Sequence, residues 1–309
     1  MIKVFGHLSP DTDATVSAVL WAWYLNTHKA AEATAFVLGN LNKETVFVLN
    51  QWNTATPALL ESIEVGDDVV IVDTNNPQEL FANILEANIV QIIDHHMLAG
   101  GLATRKPLDM TLKPLASTAS VIHDLMGLGA ETLPENIAGL MLSSILSDTL
   151  AFRSPTTTPH DRGIAEKLAA RLNVNIETYS QEMFAAKSDV SDFTDIGLVH
   201  LDSKKSTLGD KNIRISVVET TDPASIMART AGILASMQTV IAEEHETADI
   251  LFFIIDILKE EATVLTYNQF TKDVITASFG VTVTGDTVVL PGIVSRKKQI
   301  IPSLTVPNL

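Results

Sequence analysis

The chain has 309 residues, 46% of them hydrophobic and 19% charged, enough to bury a sizeable core and long enough that two domains are expected. It holds no cysteine, which excludes disulfides, thiolate zinc sites, iron–sulfur clusters and thiol nucleophiles, so any metal must be held by His and carboxylates. With 37 acidic residues against 21 basic ones the net charge is -16, so neither nucleic acid nor a membrane surface is expected as a partner.

Residues 1–6 read directly as a strand, without the basic and apolar segments of a secretory leader, and a cytoplasmic location is expected. Apolar runs at 2–6, 35–38, 69–73 and 89–94 have the length and β-branched content of buried strands. Between the first two runs, Val16, Val19, Leu20, Trp23 and Tyr24 share one face of a helix over 13–24. Strands alternating with helices predict an α/β fold, a mostly parallel sheet with helices on both faces. Residues 116–187 read as helical, with one helix opening at Pro134 and another at Thr158 and Pro159. The polar stretch 188–195 is expected to be a linker and hinge. It would separate a first domain over 1–187 from a smaller mixed α/β domain over 196–309. In the latter, 212–219 alternates as a strand, 222–244 is helical, 250–255 is a buried strand and 262–267 alternates again.

Four segments gather acids and histidines: His7 to Asp13, Asp73 to Asn75, Asp94-His95-His96, and Ser147-Asp148-Thr149. Three of them follow predicted strands, and in an open parallel sheet the crevice beyond the carboxyl ends of the strands is where ligands bind. Imidazole mixed with carboxylate suits Mn, Co, Zn or Fe. Such a set can hold two ions roughly 3.5–4 Å apart, which clamp a phosphoryl displacement and lower the pKa of bound water towards about 7. Other readings exist for the parts. Asp11 and Asp13 suit the turn and N-cap of the following helix, and Asp73 could cap a helix starting near Pro77. Two adjacent histidines, and Asp148 in the apolar helix 140–150, are costlier to bury without partners. His28, His123, His160, His200 and His245 lie outside this pattern and receive no role.

The order GHxxPDTD, DTN, DHH, SDT resembles the DHH phosphoesterase superfamily, the naming triplet being Asp94, His95 and His96. With Ser295-Arg296-Lys297-Lys298-Gln299 and Leu201-Asp202-Ser203-Lys204 added, the stretch from His7 to Gln299 looks like the manganese-dependent inorganic pyrophosphatases of family II. The resemblance implies hydrolysis of pyrophosphate to two phosphates by a hydroxide bridging two metal ions, at a site between two domains. It implies that His7, Asp11 and Asp73 hold one ion while Asp13, Asp73, His95 and Asp148 hold the other, Asp73 being shared. His96 would contact substrate, Asp94 would orient a neighbour, and Lys204, Arg296 and Lys297 would bind the phosphates. It further implies two Mn2+ ions, replaceable by Co2+, additional Mg2+ arriving with substrate, and a homodimer through the first domain. Asn76 departs from the family, which usually carries Glu there. The alternative is a DHH-type exopolyphosphatase or oligonucleotide phosphodiesterase with the same metal cage. The stretch around Arg296 lacks the interleaved aromatic residues that stack bases.

Overall fold

The computed structural model describes residues 1–306, and the chain forms two compact units, Met1–Ala186 and Lys187–Leu309. The first unit holds six strands: β1 (Ile2–Phe5), β2 (Ala33–Val37), β3 (Ala58–Leu59), β4 (Asp68–Val72), β5 (Asn88–Asp94) and β6 (Asp109–Leu112). They lie in the order β3-β2-β1-β4-β5-β6, every pairing parallel. The order reverses direction between β1 and β4, which opens a crevice at their carboxyl ends. Successive side chains on a strand face opposite ways, so each strand feeds two cores. Phe5, Val69 and Ile71 pack with Leu38, Leu80 and Ile84 on one face. Val4, Val70 and Val72 point the other way and are as deeply buried.

Six helices complete this unit: α1 (Thr12–His28), α2 (Lys43–Gln51), α3 (Thr118–Met126), α4 (Glu135–Asp148), α5 (Pro159–Leu172) and α6 (Ile176–Lys187). The single-face reading of α1 is corrected by the structure. Residues 12–18 are all buried, whereas Val19 and Trp23, expected inside, are only half-buried. The small side chains Ala14, Thr15, Ser17 and Ala18 admit α3 and α4, which pack on α1 together with β1 and β2, leaving little of it to solvent. The stretch 116–187 is likewise less helical than expected. A 3-10 segment spans Gly127–Thr132, and the chain leaves α4 through Leu150, Ala151 and Phe152, all in the left-handed region. Thr158 then caps α5 reciprocally with Asp161, with Pro159 in the first turn.

In the second unit β7 (Ser203–Leu208), β8 (Lys211–Thr220), β9 (Asp249–Asp256), β10 (Glu261–Leu265) and β11 (Thr287–Pro291) form a sheet in the order β11-β10-β9-β8-β7. Only β8 and β9 run parallel, and the crossover between them is helical. That crossover, expected as one helix, is two, α8 (Pro223–Met227) and α9 (Thr230–Glu243). The helix α7 (Asp195–Leu201) and α9 cover one face of the sheet through Leu198, Ile233 and Met237, and α10 (Gln269–Phe279) covers the other through Val274 and Ile275. Residues 188–195 are tied to this unit. Ser188 Oγ accepts from Thr221 N at 2.7 Å, and Arg229 donates to Phe193 O at 2.7 Å and to Asp195 Oδ1 at 2.8 Å. Among the described residues no helix is long and apolar enough to cross a membrane.

Candidate active site

The sheet delivers most of the candidate residues. His7 lies just past β1, Asp73 directly follows β4, and β5 ends on Asp94 with His95 and His96 next. These three strands are neighbours, so the three segments share one edge. Asp11 and Asp13 open α1, and Asp148 closes α4. Asp11 caps α1, its Oδ1 accepting from Ala14 N at 2.9 Å, and the same oxygen lies 3.8 Å from His7 Nε2. Gly6 allows the approach of α1 to the strand ends, because a Cβ there would sit 2.7 Å from Ala14 Cβ.

Asp73 stands between two sets of side chains. Its Oδ2 is 3.5 Å from His7 Nε2, and its Oδ1 is 3.4 Å from His95 Nε2. His95 Nε2 also lies 3.9 Å from Asp13 Oδ2 and 3.8 Å from Asp148 Oδ2. His7, Asp11 and Asp73 thus form one group of potential metal ligands and Asp13, His95 and Asp148 another, and Asp73 also groups with His95 and His96. Asp73 adopts a φ of 61°, a left-handed conformation that costs a residue other than glycine roughly 1 kcal/mol. It does not cap the next turn; Asn76 does, accepting from Gln78 N.

The carboxylates are held by donors that carry no obvious signature in the sequence. Asp13 Oδ1 accepts from Ser117 Oγ at 2.8 Å, Ala119 N at 3.1 Å, Ser17 Oγ at 3.2 Å and the Ser144 hydroxyl. Thr118 N donates to Asp13 Oδ2 at 2.6 Å while Thr118 Oγ1 donates to Asp73 Oδ1 at 2.9 Å. The N-terminus of α3 therefore grips both acids, where the helix dipole favours negative charge. The Ser-Thr pair before an apolar run was the available clue, an N-cap pattern whose side chains also serve neighbours. His95 Nδ1 bonds Leu115 O at 3.0 Å, which directs a proton to Nδ1 and leaves Nε2 facing the carboxylates of Asp13, Asp73 and Asp148. Asp94, fully buried, bonds His96 Nδ1 at 2.9 Å, so it orients His96 and takes no direct place in either ligand group.

The electrostatics fit divalent cations. Asp13 and Asp73 are 1% and 2% exposed, an expensive way to keep two carboxylates unless positive charge joins them. Burial, with the charge of Asp13, pushes Asp73 up to about 6, and burial pushes Asp148 well above the usual carboxylate range. Burial alone would lower His7 and His95, but the carboxylates facing them, Asp73 foremost, push both up to about 9. Without metal, protonated imidazoles supply the missing positive charge. Beside the ligands opens a cavity of about 610 Å³ lined by His7, Asp11, Asp73, Asn75, Glu79 and His96.

The three candidate phosphate-binding cations belong to the second unit. Lys204 is exposed on β7, and Lys297 is exposed in the turn that begins at Arg296. That turn is a single π-helical turn, Arg296–Ile300, a form frequent at functional sites. Gln299 knits it, its Oε1 accepting from Val294 N and Ser295 N at 2.9 and 3.0 Å and its Nε2 donating to Gly292 O at 2.7 Å. Arg296 Nη1 donates to both the backbone oxygen and Oδ1 of Asp202 at 2.7 Å, a partner that sequence reasoning missed. Arg296 is thereby tied to the start of β7, near Lys204. His160 and His123 instead attend Asp124, at 2.7 and 3.7 Å, away from both groups.

A parallel sheet whose carboxyl edge gathers Asp and His into abutting groups of potential ligands is suited to holding divalent metal ions. Residues 1–145 match the family described as the DHH family, N-terminal domain, and residues 181–306 match the DHHA2 domain. The chain is 39% identical to a probable manganese-dependent inorganic pyrophosphatase of Deinococcus radiodurans, covering 98% of each chain. To a protein of the same description from Staphylococcus saprophyticus it is 36% identical, covering 98% of this chain and 97% of that one. The crystal structure of a putative family II inorganic pyrophosphatase from Methanococcus jannaschii matches with a TM-score of 0.64 at 34% identity, covering 98% of both. The chain belongs to the manganese-dependent inorganic pyrophosphatases of family II.

Proposed function

We propose that this protein hydrolyses inorganic pyrophosphate to two phosphates with a pair of Mn2+ ions. In this reading His7, Asp11 and Asp73 hold one ion, and Asp13, Asp73, His95 and Asp148 hold the other. Co2+ would serve in place of Mn2+, and Mg2+ would accompany the substrate. The observation that carries the reading is Asp73, which turns one oxygen to His7 and the other to His95 at nearly equal distance, 3.5 and 3.4 Å. Bound there, divalent ions supply a water of lowered pKa and neutralise charge on the phosphoryl group.

The remaining work falls to the chain. Asp13 and Asp73 stay in place because α3 and Ser144 hold them, so the ligand geometry exists before substrate arrives. His96, with Nδ1 bound to Asp94, lines the cavity and would contact a phosphate oxygen through the rest of its ring. The four carboxylates Asp11, Asp13, Asp73 and Asp148 balance two divalent ions, so pyrophosphate needs further cations. Lys204, Arg296 and Lys297 supply them, Arg296 through its planar fork and the lysines as point charges. One water enters, one P–O bond of the anhydride breaks, and two phosphates leave. A cytoplasmic location and a homodimer through the first unit complete the reading.

The test is a substrate panel with the Mn2+-loaded chain. Phosphate release from pyrophosphate should exceed that from polyphosphate by orders of magnitude, with no cleavage of short oligonucleotides. Comparable turnover of polyphosphate or of a dinucleotide would replace this reading with the other DHH activities.

A further inference from the structure

Asn75 lies two residues after Asp73 and takes part in none of the steps above. It is 2% exposed, and its amide is committed to a single neighbourhood. Nδ2 donates to Asp94 Oδ2 at 2.6 Å and to Met97 O at 3.1 Å, and Oδ1 accepts from Ala99 N at 2.7 Å.

Asp94 uses its other oxygen on three donors, His95 N at 2.7 Å, His96 N at 3.0 Å and His96 Nδ1 at 2.9 Å. Rotation about Cβ–Cγ would swing both oxygens, so the three bonds to Oδ1 resist it and the bond from Asn75 pins the second oxygen as well. With Asp94 fixed, the proton of His96 is drawn to Nδ1 and the ring is held in one orientation. The same amide also spans the turn after His96. Met97 and Leu98 are 92% and 68% exposed, so side-chain packing does not hold this turn, whereas the two backbone bonds of Asn75 close it.

We propose that Asn75 is a positioning residue for the reaction: through Asp94 and the turn at 97–99 it sets the His96 imidazole against the substrate phosphate. The inference rests on His96 contacting substrate, as proposed above. Asn75 borders the cavity, but its amide is spent on Asp94, Met97 and Ala99 and it belongs to no ligand group, so its substitution should move catalysis and leave metal content alone.

The experiment uses the full-length chain loaded with Mn2+. Asn75→Ala and Asn75→Asp are made with His96 intact and again with His96→Ala, and kcat, KM for pyrophosphate and bound Mn2+ are measured for each. Both substitutions should lower kcat/KM by roughly 10–100-fold with Mn2+ content unchanged, the range found when partners of site residues are removed. Asn75→Asp is the sharper probe, since it keeps shape and the bond from Ala99 N but sets a carboxylate against Asp94 in place of a donor. In the His96→Ala background each should cost less than about threefold, because the group they position is gone. Full additivity with His96→Ala, lost Mn2+, or wild-type kcat/KM in Asn75→Asp would overturn the proposal. Should His96→Ala itself leave kcat/KM unchanged, the contact between His96 and substrate fails, and the role of Asn75 fails with it.

Discussion

Thr118→Val removes one hydroxyl and keeps the volume of a fully buried side chain. In the wild type that hydroxyl donates to Asp73 Oδ1 at 2.9 Å, on the oxygen that faces His95, while the backbone bond from Thr118 N to Asp13 survives the change. A hydrogen bond to a charged acceptor is worth roughly 1.5–3 kcal/mol. Partners of metal-ligating side chains typically account for 10–100-fold in affinity, which at about 1.4 kcal/mol per tenfold is nearly the same interval. Thr118→Val should therefore weaken Mn2+ binding by about 10–100-fold. Thr118→Ser, which keeps the donor, should recover most of the loss. The assay is titration of metal-stripped protein with buffered free Mn2+, with thermal unfolding measured beside it to exclude a folding defect. Wild-type affinity in Thr118→Val would refute the idea that α3 holds Asp73 ready for metal.

Three further outcomes follow from the same geometry. Metal uptake should depend on pH, because His7 and His95, pushed up to about 9 in the metal-free chain, must lose protons to bind. Protonation competes below that value, so Mn2+ affinity should fall as pH is lowered from about 9 to 7, with proton release on binding at pH 7; a flat profile would contradict it. Lys297→Ala should raise KM for pyrophosphate and lower turnover with bound Mn2+ unchanged, and a loss of metal would mean its role is misassigned. Mn2+ should also stabilise the fold, since it neutralises the buried acids: at 100 times its dissociation constant a site contributes about 2.7 kcal/mol, read as a rise in Tm that chelator abolishes.

Much of this site was legible because strand ends announce themselves. The apolar runs before His7, Asp73 and Asp94 are short and rich in β-branched residues, and acids placed directly after such runs in a parallel sheet must meet at one edge. What supports those acids was not legible. Ser117, Thr118 and Ser144 reach Asp13 and Asp73 from more than 40 residues away in sequence, and a single hydroxyl leaves no periodic trace. The burial of α1 was misread for a related reason. Its small residues count as neutral in an amphipathic pattern, yet they are what lets two more helices approach. The pairing of Asp202 with Arg296 leaves no local trace either, because the two lie 94 residues apart. The short strands β3 and β6 carry too few residues to show alternation.

The shared carboxylate is the centre of the account, and one titration addresses it. Metal-stripped wild type and Asp73→Ala are each titrated with Mn2+ while bound ions per chain and phosphate release from pyrophosphate are recorded together. The wild type should bind two ions per chain and reach full turnover only with both in place, and Asp73→Ala should hold neither tightly and release almost no phosphate. Full turnover with one ion bound, or an Asp73→Ala chain that holds two ions and still hydrolyses pyrophosphate, would contradict it.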